Sequence, residues 1–115
     1  MSKRDPGISL HQMHDHAREA LQLSQGKNRG DLDTSRVLAL ASIHLLEIVG
    51  EAASRISPDI RARHPEVPWT EIIGLRHRLV HGYDQVDLDV LWQILTKDLP
   101  PLVESLESVI QTYRK

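Results

Sequence analysis

The sequence predicts an all-α protein, a bundle of four to five helices in a single domain that spans residues 1–115. Apolar residues recur at intervals of three and four positions along most of the chain, which is typical of helices with one buried face. Alternation of apolar and polar residues is too short everywhere to predict a strand. A chain of 115 residues fits one domain and can bury a core, either alone or shared with a second copy.

The first two helices carry the strongest periodic signals. The apolar face of the first is formed by Leu10, Met13, Ala17, Ala20 and Leu21. Gly26 should stop this helix, and residues 26–35 follow as a polar connector. The second helix, within residues 34–56, has apolar side chains around most of its circumference, which predicts contacts on several sides. His44 lies in this aliphatic stretch, so we expect it to be buried and hydrogen-bonded.

Two glutamates interrupt the aliphatic second helix one turn apart, at Glu47 and Glu51. A buried carboxylate without a partner is costly, so each must face water or meet a cation. One interpretation is that both lie on a solvent-facing strip, where Glu51 could pair with Arg55 four residues on. The other is that one of them orients an arginine from a later helix. The sequence leaves both open.

The C-terminal half predicts three more helices. The first runs over about residues 69–81 and should stop at Gly82. Asp87 is suited to cap the next helix, because its side chain can accept a hydrogen bond from a free backbone N–H. Two adjacent prolines, beginning at Pro100, should interrupt that helix before a final helical stretch over residues 102–113.

Charge and composition exclude several classes of site and partner. The 16 acidic and 14 basic residues give a net charge of −2, which argues against a protein that holds nucleic acid by bulk charge. Cysteine is absent, so disulfides, thiolate metal sites and cysteine nucleophiles are excluded. The sequence shows neither a leader-like apolar segment nor a membrane-length apolar run, so we expect a cytoplasmic location and no membrane partner.

The stretch GLRHRLVHGYD, residues 74–84, concentrates the side chains that could carry chemistry, above all Arg76, His81 and Tyr83. Histidine can move a proton near neutral pH, and the planar fork of arginine matches phosphate oxygens. Together they could cleave a phosphodiester without a metal when the substrate supplies its own nucleophile, as RNA does through its 2′-hydroxyl. We therefore expect RNA rather than DNA as the substrate of such a site.

The spacing of Arg76 and His81 limits how they could cooperate. Five positions on a helix diverge by about 140°, so the two side chains cannot easily reach one phosphate from a straight helix. The helix could end at His81, or two copies of the segment could face each other across a two-fold axis. These solutions are compatible, and the aliphatic second helix gives an independent reason to expect a dimer.

Two other interpretations of the stretch compete with the catalytic one. Cations near the end of a helix often only stabilise the helix dipole. His77 and His81 could bind zinc from one helix face, although no clear third ligand follows and the adjacent arginines repel a cation. The three N-terminal histidines are expected to be surface residues: His11, His14 and His16.

Three segments of the chain resemble the HepT-like family of HEPN-domain proteins. They are LEIVGEAASRIS, HPEVPWTEIIGLRHRLVHGYDQVDLDVLWQI and LPPLVESL. The resemblance covers about residues 34–106, and its centre is Arg, any four residues, His, any residue, Tyr. Here these are Arg76, His81 and Tyr83. The surrounding IVGEAA, PEVPW and HGYD segments make the resemblance specific.

The resemblance implies a function as well as a fold. Family members form two-fold dimers of all-α bundles and act as toxins that cleave RNA without a metal ion. Each is paired with a minimal nucleotidyltransferase antitoxin, which neutralises the toxin by transferring AMP to the motif tyrosine. By position, Arg76 and His81 would be the catalytic pair and Tyr83 the modification site, with no cofactor. Relatives often have asparagine after the motif arginine, where this chain has His77.

On this hypothesis, His81 acts as general base or acid, and Arg76 stabilises the charge that develops at phosphorus. The product would carry a 2′,3′-cyclic phosphate. Three supporting residues are expected to position the RNA or the arginine: His77, Arg78 and Glu51. The alternative is a non-catalytic helical dimer that binds a nucleotidyltransferase partner or a nucleotide. An aromatic content of 3% without phenylalanine favours this alternative, because few side chains could stack on bases.

Overall fold

Helices dominate the computed structural model, which describes residues 6–81 and 85–113. The helices are α1 (Pro6–Ser24), α2 (Asp31–Thr34), α3 (Arg36–Ser54), α4 (Pro58–Arg63), α5 (Trp69–Ile73), α6 (Leu75–Leu79), α7 (Leu88–Gln93) and α8 (Leu99–Thr112). The predicted all-α class is confirmed. There are more helical segments than the four to five expected, because the longer predicted helices are divided. Two residues of β1 (Val80–His81) also pair antiparallel with β2 (Gln85–Val86), so the expectation that strands are absent is wrong here.

The hydrophobic core lies between α1, α3 and α8, and α1 packs along both of the others. Its largest fully buried side chains are aliphatic, and they include Leu10, Met13, Leu46, Leu95, Leu99 and Leu106. Each such side chain stabilises the fold by about 1.5–3 kcal/mol when it leaves water. The spacing that predicted α1 therefore identified the face that the helix buries.

The connection between α1 and α3 is more ordered than the predicted polar connector. The chain turns at Gly26, whose φ of 74° lies in the left-handed region that favours glycine. One turn of helix, α2, then forms inside the connector, because Leu32 is buried in the core and anchors it. Ser35 caps α3 by accepting a hydrogen bond from the backbone N–H of Leu38 at 3.1 Å.

The helix predicted over residues 69–81 is divided and ends early. Gly74 leaves helical geometry, with φ −87° and ψ 8°, and separates α5 from α6. The β-branched Val80 is already extended, and it pairs with Val86 across the β1–β2 hairpin. The backbone N–H of Asp87 donates to the carbonyl of Leu79 at 2.8 Å, which fixes the end of α6 beside the start of α7. Gly82, the predicted stop, lies outside the described residues.

The prolines at 100 and 101 do not interrupt the helix, contrary to expectation. They occupy the first turn of α8, where a missing N–H is tolerated. A π-helical turn, Ile94–Asp98, joins α7 to α8, and the N–H of Leu99 bonds to the carbonyl of Ile94. This wider turn keeps the chain helical while it accommodates residues that cannot donate. As predicted, Asp87 caps α7 by accepting from the N–H of Val90 at 3.1 Å.

A close backbone contact fixes α5 and α6 against α3. A Cβ atom placed on Gly50 of α3 would lie 2.9 Å from the backbone carbonyl oxygen of Ile72 in α5. Only glycine permits this approach without a shift of one helix. At the start of α5, Trp69 donates its indole N–H to the carbonyl of His64 at 2.9 Å. These two contacts determine where α6, which follows α5, presents its side chains.

One strip of α3 remains exposed. Val37 is 79% exposed and Leu40 is 50% exposed, which is unusual for large aliphatic side chains on a core helix. Within the described residues, α3 is the helix long and apolar enough to cross a membrane by length and composition, but half of that segment is buried inside the protein. This burial is what a core helix of a bundle shows, so we interpret α3 as such a helix with one uncovered face.

Candidate active site

Arg76 and Glu47 form an ion pair that links α6 to α3. The Arg76 Nη1 atom donates to Glu47 Oε2 at 3.3 Å, and the Arg76 side chain remains 75% exposed. Glu47 Oε1 also lies 3.7 Å from His44 Nδ1. Of the two interpretations of the glutamates, the structure therefore shows the one in which a carboxylate of α3 orients an arginine of a later helix. The glutamate that does so is Glu47.

Glu51, the glutamate expected to support the site, lies one helical turn further along α3. It is exposed, and in residues 6–81 and 85–113 it forms no ion pair with Arg55 or with Arg76. It nevertheless lines an open groove of about 480 Å³ together with Glu47, Gly50 and Arg76. We call this groove, between α3 and α5, the α3–α5 groove.

A second open groove, of about 460 Å³, lies on the other side of the Glu47–Arg76 pair. We call it the α3–hairpin groove, because α3 and the β1–β2 hairpin contribute to its walls. It is lined by Leu32, Asp33, Arg36, Ala39, Leu40, Ile43, Glu47, Arg76, Val80, Val86 and Leu88. Since both grooves include Glu47 and Arg76, the ion pair stands at their junction.

His81 follows the end of α6 on strand β1. Its side chain is exposed, whereas the preceding Val80 is partly buried and lines the α3–hairpin groove. Arg76 and His81 make no hydrogen bond to each other in the described part of the chain. The helix does end between them, which is one of the two solutions expected for their spacing. Tyr83, the predicted modification site, lies outside the described residues.

The zinc interpretation loses its geometric basis in this structure. His77 belongs to α6, but His81 belongs to β1, so the two histidines are not one turn apart on a single helix face. The required face ends at Leu79, where the chain becomes extended. No cluster of three or more histidine, aspartate or glutamate side chains suited to a metal ion occurs among residues 6–81 and 85–113.

Arg78 faces a different surface from Arg76. Its Nη2 atom lies 3.8 Å from Asp98 Oδ2 in the π-helical turn, and it lines a separate cleft of about 300 Å³. Two residues along a helix turn the side chain by about 200°, which explains the separation. His77, between them, is exposed. Of the predicted supporting residues, the structure thus brings Glu51 to the α3–α5 groove and directs Arg78 to a separate cleft.

Two of the predictions for single histidines were wrong. His44 is not buried, because its side chain is 73% exposed on the uncovered face of α3. His14 is not a surface residue, because it lies between α1 and α8 and is 9% exposed. Leu10 and Ala17 flank it at helical spacing on the same face of α1, and tertiary packing buries that face. His11 is exposed and His16 partly so, and each bonds to a backbone carbonyl four residues earlier.

His14 is held by two carboxylates. Its Nδ1 atom lies 3.0 Å from Asp15 Oδ1, and its Nε2 atom lies 2.9 Å from Glu107 Oε2. Carboxylates accept but do not donate, so both bonds form only with the doubly protonated imidazolium. Burial acts to lower the pKa of His14, but the hydrogen bonds and negative charges of Asp15 and Glu107 outweigh it and raise the pKa above its ordinary value.

The chain is an all-α bundle with an arginine and a histidine near the end of one helix. Comparison with known proteins assigns this chain to a class of ribonuclease-like proteins. Residues 13–109 match the family described as Ribonuclease HepT-like. The match covers most of the chain, which therefore belongs to the HepT-like family.

Relatives of the chain carry names that agree with this family. A Methanocaldococcus jannaschii protein, provisionally named as the RNase MJ1380, is 34% identical over 109 residues, which is 95% of this chain and 100% of the relative. A Thermococcus cleftensis protein, provisionally named ribonuclease HepT, is 42% identical over 69 residues, which is 60% of this chain and 63% of the relative. No solved structure matches the chain with significance.

Proposed function

We propose that the chain, acting as a single domain, is a cytoplasmic endoribonuclease that needs no metal ion. The observation that carries the proposal is the position of Arg76, held by Glu47 at the junction of two open grooves, with His81 just past the end of the same helix. The family and the names of the relatives support ribonuclease activity. The residue types support RNA as the substrate, because RNA supplies its own 2′-hydroxyl nucleophile.

The proposed mechanism divides the work between Arg76 and His81. Arg76 uses one N–H group on Glu47, which leaves other donors of the guanidinium for phosphate oxygens. His81 removes the proton of the 2′-hydroxyl or protonates the leaving 5′-oxygen. The 2′-oxygen bonds to phosphorus as the bond to the 5′-oxygen breaks, so the products are a 2′,3′-cyclic phosphate and a 5′-hydroxyl. Glu47 fixes the guanidinium in the orientation that meets the phosphate.

We also propose that the active form is a two-fold dimer. The exposed Val37 and Leu40 form an apolar strip on α3, and Leu40 borders the α3–hairpin groove. A second copy packed against this strip would shield it from water and bring a second arginine and histidine near the first. Leu40→Asp should convert the dimer to a monomer in sedimentation equilibrium. A monomeric unsubstituted chain that cleaves RNA would contradict this part of the proposal.

We assign supporting roles to Glu51 and His77 in the same mechanism. Glu51 lines the α3–α5 groove beside Arg76, where it can limit how far the guanidinium moves. His77 is exposed on α6 next to Arg76 and can donate to an RNA backbone oxygen when it is protonated.

We propose that the chain is the toxin of a toxin–antitoxin pair and that its activity is controlled by covalent modification. A minimal nucleotidyltransferase antitoxin would transfer AMP from ATP to the hydroxyl of Tyr83, forming an oxygen–phosphorus bond and releasing pyrophosphate. Tyr83 lies two residues after His81 in the sequence, so the added phosphate would compete with RNA for nearby cations. Intact-mass measurement after co-expression should show one added AMP on the chain and none on Tyr83→Phe. Neutralisation without added mass would contradict this control.

Expression of the chain by itself tests the proposed function. We expect growth arrest and new RNA ends detectable by sequencing, and His81→Ala should remove both effects. The second candidate is the non-catalytic dimer module that binds a nucleotidyltransferase or a nucleotide, and the low aromatic content favours it. Harmless expression of the unsubstituted chain, with no new RNA ends, would favour this module over the nuclease.

A further inference from the structure

Arg36 lines the same groove as Arg76, but it lies at the start of α3, away from the Glu47–Arg76 ion pair. The α3–hairpin groove contains four charged side chains, namely Asp33, Arg36, Glu47 and Arg76. Arg36 occupies the first residue of α3, whereas Glu47 lies eleven positions further along the helix. The groove therefore extends from the proposed catalytic arginine to a second arginine.

The charges in the groove leave Arg36 available for an anion. Asp33 is paired with Arg29, whose Nη1 atom lies 3.0 Å from Asp33 Oδ2. Glu47 is paired with Arg76 at 3.3 Å. Arg36 is exposed and has no acidic partner within residues 6–81 and 85–113. Within the described residues, it is thus the arginine of this groove that no carboxylate engages, whereas Arg76 is paired with Glu47.

The surface between the two arginines is apolar. Away from the exposed strip of α3, the apolar side chains that line the groove include Ile43, Val86 and Leu88. Eleven residues of helix place Arg36 about 16 Å along α3 from Glu47, the partner of Arg76, and this exceeds the spacing of neighbouring phosphates along one strand. A phosphate at Arg36 would therefore lie more than one nucleotide from the phosphate at Arg76. The bases between them could rest on the aliphatic side chains only if they were unpaired, since a duplex directs its bases inward.

We propose that Arg36 is a second phosphate anchor, which binds single-stranded RNA at a phosphate more than one nucleotide away from the phosphate that is cleaved. This inference rests on the proposed ribonuclease function. Arg36 does not touch the reacting atoms, so it contributes to binding of the strand and not to the chemical step. It also gives the site a preference for substrates long enough to reach both arginines.

The first test measures binding of a fluorescein-labelled single-stranded RNA oligonucleotide to the His81→Ala chain, which holds the RNA uncut. Adding Arg36→Ala should weaken binding about three- to tenfold, the size expected for one exposed charge-assisted contact. The slope of log affinity against log salt should fall by about 0.7, the value for one phosphate contact with a single strand. Arg36→Lys should retain most of the salt slope. Arg63→Ala, which removes an exposed arginine of α4 outside both grooves, should change neither quantity.

A second test separates this inference from the proposed function. In a chain with His81 intact, Arg36→Ala should raise KM for the long oligonucleotide and leave cleavage of a dinucleoside monophosphate unchanged, because the short substrate cannot reach Arg36. An equal loss of kcat on both substrates would overturn the anchor. So would unchanged RNA affinity accompanied by a weaker dimer in sedimentation, which would make Arg36 an interface residue. Failure of the unsubstituted chain to cleave either substrate would instead overturn the proposed function, and the binding test would still decide the anchor.

Discussion

Two clusters of charged side chains in this protein differ in how much of their hydrogen-bonding capacity is used. Between α1 and α8, both ring nitrogens of His14 are bonded to carboxylates, and the residue is 9% exposed. Between α3 and α6, Arg76 uses one N–H group on Glu47 and keeps a side chain that is 75% exposed. The first cluster is saturated and fastens two helices. The second retains donors toward two open grooves, which is what binding a substrate requires.

The largest effect is expected when Arg76, the arginine that keeps N–H donors free for a substrate, is removed. Arg76→Ala should lower kcat for RNA cleavage by about 100- to 1000-fold, because a preorganised donor at the developing charge is lost. Stability should change little, since an exposed ion pair contributes at most about 1 kcal/mol. Initial rates on labelled RNA and urea unfolding measure the two quantities. Arg63→Ala is the matched control, and equal rates for the two variants would refute the assignment.

The next effect concerns the contact that fixes α5 and α6 against α3. Gly50→Ala places a Cβ atom 2.9 Å from the carbonyl oxygen of Ile72, so the helices must separate. We expect a loss of about 1–3 kcal/mol in the free energy of unfolding, measured by urea denaturation, and a fall in cleavage. Gly30→Ala is the control, because its added Cβ meets only the exposed side chain of Asn28, which can shift at the cost of its hydrogen bond from the N–H of Asp31. If Gly50→Ala were as stable as Gly30→Ala, the close contact between α3 and α5 would not constrain the position of these helices.

A smaller effect is expected when the charge of Glu47 is removed and Arg76 is kept. Glu47→Gln preserves size but weakens the hold on Arg76, and we expect kcat to fall about tenfold while RNA affinity stays the same or rises. Glu104→Gln removes an exposed carboxylate of α8 and should leave both parameters unchanged. If Glu47→Gln lowers RNA affinity but not kcat, Glu47 does not orient the catalytic arginine.

The smallest effect is a pH dependence of stability that arises in the saturated cluster. Because the pKa of His14 is raised in the folded protein, its contribution is fully present below the unfolded pKa and is lost as pH rises through the folded pKa. The free energy of unfolding should therefore decline as pH rises above the ordinary histidine pKa of about 6.5 and through the raised pKa of His14. Glu107→Gln should flatten this decline, and Glu104→Gln should not. Parallel pH profiles for all three proteins would contradict the assignment.

The long helices α1 and α3 could be predicted, because the spacing of their apolar residues matches the helix faces that are buried in the core. The divisions of the later helices could not, because they depend on tertiary contacts. Helical geometry ends at Gly74 and at Val80, where α6 packs against α3 and the hairpin. The spacing of apolar residues in the sequence does not predict these tertiary contacts. The π-helical turn likewise reflects how the chain adapts to Pro100 and Pro101.

The chemistry of residue types proposes Arg76 and His81 for the candidate site, and their roles stay predictions. The pairing inside the site could not be predicted, because the choice between Glu47 and Glu51 depends on which turn of α3 faces α6. His14 and His44 show the same limit. Each lies among apolar neighbours in the sequence, but only the face of α1 that carries His14 is covered by another helix. Helical spacing indicates which residues share a face, and tertiary packing decides whether that face is buried.

The most direct test of the central claim is RNA cleavage by the purified chain in the presence of EDTA, compared with His81→Ala and with His16→Ala. His16 is the matched histidine, because it lies on α1 and bonds only to a backbone carbonyl. We predict that the unsubstituted chain and His16→Ala cleave RNA to products with 2′,3′-cyclic phosphate ends. His81→Ala should be slower by about 100-fold or more. Cleavage that EDTA abolishes, or that His81→Ala retains, would contradict the central claim.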